Sequence, residues 1–181
     1  ILGLPKPTIH LIMSIPRFPI FEAVVEKAVE LGVEGVHLVY SDFSFVRKQE
    51  DAIERKWSRW QRIIQSATQQ SGRGELMQLH EPVRLDQKLD IFNRSQGLHG
   101  LFAYEGDGVL GAQDAIAQTV AAKPEQIWVF VGSEGGFSIN EVGQFQKSGM
   151  QPLTLGAQVL RVETACVALV RIIMYGLSQM R

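Results

Sequence analysis

Short runs of β-branched and aromatic residues alternate with longer amphipathic stretches along the whole of this sequence, and that alternation limits the fold more than any other feature. Thr8 to Met13 reads as a buried strand. Phe21, Val24, Val25, Ala28 and Leu31 then recur at helical spacing before Gly32, which suits a helix C-cap. Val36 to Tyr40 is a second strand, and Glu54 to Ser71 a long helix with Trp57, Trp60, Ile63, Ile64 and Ala67 on one face. A strand near Leu76 to Leu79, a short helix around Gln87 to Asn93 and an apolar strand from Leu98 to Tyr104 follow. The last of these runs into the polar turn Glu105-Gly106-Asp107-Gly108. Ala112 to Val120 reads as helical. Ile127 to Val131 carries the strongest strand signal and leads straight into Gly132-Ser133-Glu134-Gly135-Gly136, after which Ser138 and Glu141 form a capping box for the next helix. Pro152 to Leu155 gives a last strand and Val162 to Met180 a last helix. Strands alternating with helices predict an α/β fold, a mostly parallel sheet with helices on both faces. Ligands in such sheets bind beyond the carboxyl ends of the strands, which directs attention to the turns after Tyr104, at Gly132 and at Leu155.

Composition narrows the function classes. The chain has 181 residues, 45% hydrophobic and 20% charged, as expected of one globular domain. No apolar run approaches the roughly 20 residues a membrane span requires, and the start lacks the basic-then-apolar order of a signal peptide. The absence of an initiator Met suggests a fragment or a trimmed chain, and Pro5-Lys6-Pro7 reads as the end of a linker, so residues 1–7 are set apart from a domain over 8–181. The single cysteine, Cys166, excludes an internal disulfide and fits a reducing cytoplasm. With 18 basic and 19 acidic residues the formal net charge is −1, so any nucleic-acid binding must come from a local basic patch or from a part of the protein outside this sequence.

Three segments carry chemistry. The glycine loop Gly132 to Gly136, between a buried strand and a helix start, fits a ligand loop, where glycines allow close backbone approach, and it also fits a plain strand-to-helix turn. It is neither the G-x-G-x-x-G fingerprint nor a P-loop. Leu155-Gly156-Ala157-Gln158-Val159-Leu160-Arg161-Val162-Glu163-Thr164-Ala165 crowds polar groups at the entrance of an apolar helix, which fits a functional segment or a well-capped helix with Arg161 paired to Glu163. Gln69-Gln70-Ser71-Gly72-Arg73 ends the long helix. The preceding Arg55, Lys56, Arg59 and Arg62 could meet phosphates and Trp57 and Trp60 could stack on bases, but the spacing favours core tryptophans and a solvated charged face. His10 and His37 alternate with apolar neighbours and read as structural. Neither they nor His80 and His99 form a metal-ligand spacing with Cys166, so no metal is expected, and Cys166 reads as packing rather than as a nucleophile.

Taken together, these motifs resemble the RsmE family of the SPOUT superfamily of knotted methyltransferases. Glu30-Leu31-Gly32-Val33 matches the family's E-L-G-V and Gln70-Ser71-Gly72-Arg73 its Q-S-x-R. Gly132 to Ser138 with Glu141 matches its G-P-E-G-G-[FL]-[ST]-x-x-E, and Leu155 to Ala165 its L-G-x-x-I-L-R-x-E-T-A. Ser133 stands where the family has proline and Val159 where it has isoleucine. The small PUA-type RNA-binding barrel with which members usually begin has no counterpart here.

The resemblance implies an α/β domain with a C-terminal trefoil knot, S-adenosylmethionine as cofactor, a homodimer, and methylation of N3 of a uridine in small-subunit ribosomal RNA. It implies cofactor contacts from Tyr104, Glu105, Val131, Gly132, Ser133, Glu134, Gly135, Gly136, Leu155, Gly156, Val159, Leu160, Thr164 and Ala165. Arg161 and Arg73 are the candidates for stabilising charge on the uracil oxygens, and Glu163 for orienting Arg161 or accepting the imino proton. The apolar face of Ala165, Leu169, Ile172, Ile173 and Leu177 would lie at a dimer interface or in the core. Competing readings are a SPOUT ribose 2′-O-methyltransferase, a non-catalytic knotted ribosome-assembly protein, and an α/β protein binding another nucleotide. The Leu155-to-Ala165 segment disfavours the last.

Overall fold

The computed structural model describes residues 3–106 and 109–180; Ile1, Leu2, Asp107, Gly108 and Arg181 lie outside them, and with them part of the expected linker and of the expected turn after Glu105. Seven strands form one parallel sheet: β1 (Thr8–Ser14), β2 (Gly35–Tyr40), β3 (Gln78–Arg84), β4 (Leu98–Ala103), β5 (Leu110–Gly111), β6 (Gln126–Val131) and β7 (Gln151–Thr154). Their order across the sheet is β3-β2-β1-β6-β4-β7-β5. Six helices connect them: α1 (Phe18–Leu31), α2 (Asp51–Ser71), α3 (Leu85–Arg94), α4 (Ala112–Ala122), α5 (Ile139–Lys147) and α6 (Val162–Gly176). All pairings between these strands are parallel, so every strand ends on the same side of the sheet and its following loop opens there.

Both faces of the sheet are covered, which is why β1 and β6 read as continuous apolar runs rather than as alternations. On one face α1, α2, α4 and α6 enclose a core of Phe21, Trp60, Val129, Leu169 and Ile173. On the other, α3 and α5 cover Phe102, Trp128, Phe130 and Phe145. The long-helix face is as its spacing predicts: Trp60, Ile64 and Ala67 are buried, and Trp57 and Ile63 pack at the edge of the same core. Gly32 caps α1 with φ 83°, in the left-handed region that glycine enters without penalty.

The structure departs from the expected elements at both edges of the sheet and in the last helix. The strand expected near Leu76 to Leu79 runs from Gln78 to Arg84 instead. It tolerates Pro82 because it is an edge strand and because the register slips by one residue between His37 and Val39 of β2. β5 is an additional two-residue strand at the opposite edge. The last helix stops at Gly176 rather than Met180. Of the expected apolar face, Leu169 and Ile173 are fully buried while Ala165, Ile172 and the C-cap Leu177 are only partly so, and Val162, Cys166, Val170 and Met174 complete the inward face. A Cβ on Gly176 would stand 2.1 Å from Ile116 Cγ2, so α6 and α4 approach more closely there than any other residue would allow. Burial pushes the Cys166 thiol up to about 12, which fits packing rather than nucleophilic chemistry. No described helix is long and apolar enough to cross a membrane.

Candidate active site

The carboxyl ends of β4, β6 and β7 converge on a cavity of about 340 Å³, within the range of about 300–1,000 Å³ typical of small-molecule sites. Three segments that are distant in sequence wall it. From the end of β4 come Ala103, Tyr104, Glu105 and Gly106; after β6, the glycine loop; after β7, Leu155 with Val159 and Leu160. The adjacency of β6, β4 and β7 in the sheet, which no local sequence signal discloses, is what brings the three together.

The glycine loop turns back on itself. Ser133 and Gly136 form an antiparallel bridge, with Gly136 N donating to Ser133 O at 2.9 Å. A Cβ at Gly132 would lie 2.8 Å from the Gly136 backbone, and Gly136 has φ 71°, so both positions require glycine. The capping box forms as predicted: Glu141 N donates to Ser138 Oγ at 3.3 Å, and Ser138 N to Glu141 Oε1 at 2.9 Å. Arg17 holds the tip of the loop, donating to Glu134 Oε1 from its backbone N at 3.1 Å and its Nε at 3.3 Å. Burial alone would raise the pKa of Glu134, but these bonds and its own backbone N–H outweigh that effect and hold its carboxyl below the usual range. In the third segment Thr154 Oγ1 donates to Gly156 O and accepts from Gly156 N, which fixes the turn out of β7. Val159 is 80% exposed at the rim although it lines the cavity.

Of the fourteen expected cofactor contacts, Tyr104, Glu105, Val131, Gly132 to Gly136, Leu155, Val159, Leu160 and Ala165 line the cavity; Gly156 and Thr164 do not. Sequence reading missed Ala103, Gly106, Phe137, Leu153, Thr154 and Val162. Gly106 is the legible one in retrospect, since a Cβ there would enter the Tyr104 ring.

The three expected catalytic residues separate. Arg161 is exposed at the N-cap of α6, between the lining residues Leu160 and Val162. The Arg161–Glu163 pair envisaged for a capped helix does not form among the described residues, and Glu163 Oε2 is buried without a hydrogen-bond partner. Arg73 does not join them. It follows the C-terminal end of α2 and donates from Nη1 to Val29 O in the last turn of α1, at the edge of the sheet where the strands begin. Arg73 is therefore not among the residues that line the cavity. Burial lowers the pKa of its guanidinium, and its Nε has no partner among the described residues.

A second polar cluster lies between the sheet and α3. Lys88 Nζ is 2.9 Å from His37 Nδ1, His37 Nε2 is 2.9 Å from His10 Nδ1, and His10 Nε2 is 3.1 Å from Glu34 Oε2. With Glu34 ionised and both imidazoles neutral, one proton arrangement satisfies every link: Lys88 donates to His37, His37 to His10, and His10 to Glu34. Donor nitrogens of His10, His37 and His80 come within 4.8 Å of one another, a proximity that spacing did not foretell. The rings of His37 and His80 stack with planes only 7° apart, so their lone pairs run side by side rather than converging on one point. The structural reading of His10 and His37 fits this network.

The profile of the RNA methyltransferase domain family matches residues 4–174. Ribosomal RNA small subunit methyltransferase E of Aquifex aeolicus is 32% identical over 172 residues, 94% of this chain and 70% of that protein. Its counterpart in Mesomycoplasma hyopneumoniae is 30% identical over 166 residues, 91% of this chain and 68% of that one. Among solved structures, a Legionella pneumophila methyltransferase with bound S-adenosylmethionine superposes with TM-score 0.83 at 27% identity, over 96% of this chain and 69% of that one. The Neisseria gonorrhoeae ribosomal RNA small subunit methyltransferase E, also bound to S-adenosylmethionine, gives 0.81 at 28%, over 96% and 68%. The chain thus spans a little over two thirds of each of these proteins. With the family profile running nearly end to end and a parallel sheet whose three loops close on one cavity, this chain belongs to the RNA methyltransferase domain family, in its RsmE branch.

Proposed function

We propose that this chain is an S-adenosylmethionine-dependent ribosomal RNA methyltransferase, and that its target atom is N3 of a uridine in the small-subunit RNA. The observation that carries the reading is the cavity walled by the loops after β4, β6 and β7, in a fold shared with two structures that hold S-adenosylmethionine. The lining fits that group. Val131, Leu155, Val159, Leu160 and Ala165 offer apolar contact to an adenine, the glycine loop offers backbone groups, and Glu105 and Glu134 offer carboxylates to ribose hydroxyls or an ammonium. The chemistry the cofactor supplies when bound is an electrophilic methyl on a sulfonium sulfur.

What remains for the chain is alignment and charge. N3 of uracil has to face the cavity, its imino proton must leave, and negative charge then spreads onto O2 and O4. We assign Arg161, exposed beside the rim, to one of those oxygens. Glu163, with its unpartnered Oε2, is assigned to orient Arg161 or to take the proton. A base inside folded RNA must be unstacked to reach this position. The family resemblance further implies a homodimer and a knotted C-terminal segment, and both belong to this proposal.

The test has two stages. Calorimetric titration with S-adenosylmethionine should show saturable binding that Gly135→Arg abolishes while circular dichroism stays unchanged. Methyl transfer to small ribosomal subunits, mapped by reverse transcription, should then give a stop, because N3 lies on the Watson–Crick edge. Read-through at a methylated nucleotide would favour ribose 2′-O-methylation instead, and cofactor binding without transfer would favour a non-catalytic protein.

A further inference from the structure

The segment after β2 inverts the usual order of burial. Ser44 and Val46 point inward, while the larger and more apolar Phe43 and Phe45 are 47% and 57% exposed. Two aromatic rings held in water within three residues call for an explanation.

The backbone that presents them is fixed. Ser44 Oγ accepts from Ser41 N and shares its one proton between Val46 O at 2.6 Å and Ser41 O at 2.9 Å. Phe45 N donates to Ile15 O at 2.7 Å, and Asp42 N to Glu141 Oε2 at 3.0 Å. Ser138 Oγ donates to Asp42, and Ser133 Oγ donates to Phe43 O at 2.6 Å. Ser133, where the family has proline, therefore ties this segment to the glycine loop. A Cβ on Gly135 would stand 2.9 Å from Phe43 Cβ, so the Phe43 side chain leaves its backbone directly against the cofactor loop. Phe45 is the outer member of an edge-to-face series that runs through Phe18 and Trp60 to Phe21 in the core, with centroid separations of 5.7, 5.5 and 4.7 Å. Cations flank the pair. Arg47 and Lys48 follow directly and are exposed, and Arg17 stands at the glycine loop. A cleft of about 440 Å³ beside Asp42 is lined by Arg47 and Arg84 together with the carboxylates of Asp42, Asp86 and Glu141. Asp42 and Glu141 are engaged with each other's segments, and Asp86 is paired with Arg84.

We propose that Phe43 and Phe45, with Arg17, Arg47 and Lys48, form a stacking platform for single-stranded RNA beside the cofactor cavity. The inference rests on the function proposed above and supplies the local basic surface that a chain of net charge −1 requires. Exposed aromatic faces interleaved with cations suit unpaired bases and their phosphates. Attachment to the glycine loop sets a stacked base next to the site of methyl transfer. Because Arg17 is already paired with Glu134 and only Arg47 and Lys48 are free to meet phosphate, salt dependence should be shallow, with log K against log salt sloping about −1 to −2.

The test is fluorescence anisotropy of this chain with a labelled oligouridylate, alongside calorimetry with S-adenosylmethionine. Phe43→Ala should weaken oligouridylate binding by about 5- to 150-fold, the worth of one base–aromatic stack. Phe43→Trp should restore it and Phe43→Leu should not, while cofactor binding is unchanged in all three because Phe43 is not a lining residue. Unchanged RNA affinity in Phe43→Ala combined with Phe45→Ala would overturn the platform, as would a changed sedimentation mass, which would mark the patch as a contact between copies. Failure of the wild-type chain to bind cofactor would instead overturn the proposed function.

Discussion

Acidification from pH 7.5 to 5.5 should destabilise this chain mainly through two residues. His10 and His37 are 5% and 4% exposed, and burial is the first cause that lowers each pKa below 6.5. For His37 the positive charges of Lys88, His80 and His10 act in the same direction; for His10, Glu34 opposes the shift and Lys88 adds to it. A folded-state pKa below the unfolded one means that the unfolded chain binds more protons, so stability falls as pH drops through the unfolded value near 6.5. One pH unit below that value, keeping the His37 imidazole neutral costs about 1.4 kcal/mol relative to neutral pH, and His10 adds to that cost in the same direction. His80 and His99, partly buried and also lowered by burial, add in the same direction. The carboxyl pKa of Glu34 is itself lowered, so it stays ionised throughout this window and its contribution is lost only at more acidic pH. The assay is urea unfolding followed by tryptophan fluorescence at the two pH values and one fixed protein concentration. Lys88→Met should shrink the difference by removing one of the opposing charges on His37. A change below about 0.5 kcal/mol, or a gain in stability on acidification, would refute the neutral relay from Lys88 to Glu34.

Three further outcomes follow from contacts already described. Arg161→Ala should lower methyl-transfer turnover by about 10²- to 10³-fold, as loss of an oxyanion donor does, with cofactor affinity retained in calorimetry. Ser138→Ala removes the cap of α5 and should cost about 0.5–2 kcal/mol in denaturant unfolding; it also frees Asp42, so cofactor affinity should fall with it. Gly176→Ala forces a methyl against Ile116 and should lower stability by about 1–3 kcal/mol, read as a reduced melting temperature; an unchanged melting temperature would mean that α4 and α6 separate freely.

The elements most legible in the sequence were those whose residues see only their own neighbourhood. The run from Ile127 to Val131, the Ser138–Glu141 box and the Gly32 cap each declare themselves within a few residues, and each forms. β3 was harder because Pro82 and a register slip disguise an edge strand, and β5 is too short to have a period. Most of the cavity lining was reached through the motif resemblance; its convergence depends on β6 lying between β1 and β4, which is a tertiary fact. The same holds for His10, His37 and His80, three separate histidines in sequence that β1, β2 and β3 set side by side. Arg73 shows the reverse case: a motif residue grouped by role with Arg161 in the sequence reading, which α2 delivers beside the last turn of α1.

The sealed thiol of Cys166 has a practical consequence. With its pKa pushed up to about 12 and its sulfur fully enclosed, it is almost entirely protonated at neutral pH and out of reach of maleimides and oxidants. It is also the chain's one cysteine, so a second introduced at the surface would be the single labelling position against a silent background. Val159→Cys, at the exposed rim, would carry a fluorophore whose emission follows the loop after β7 as the cavity fills, turning a packing residue's inertness into a means of timing ligand entry.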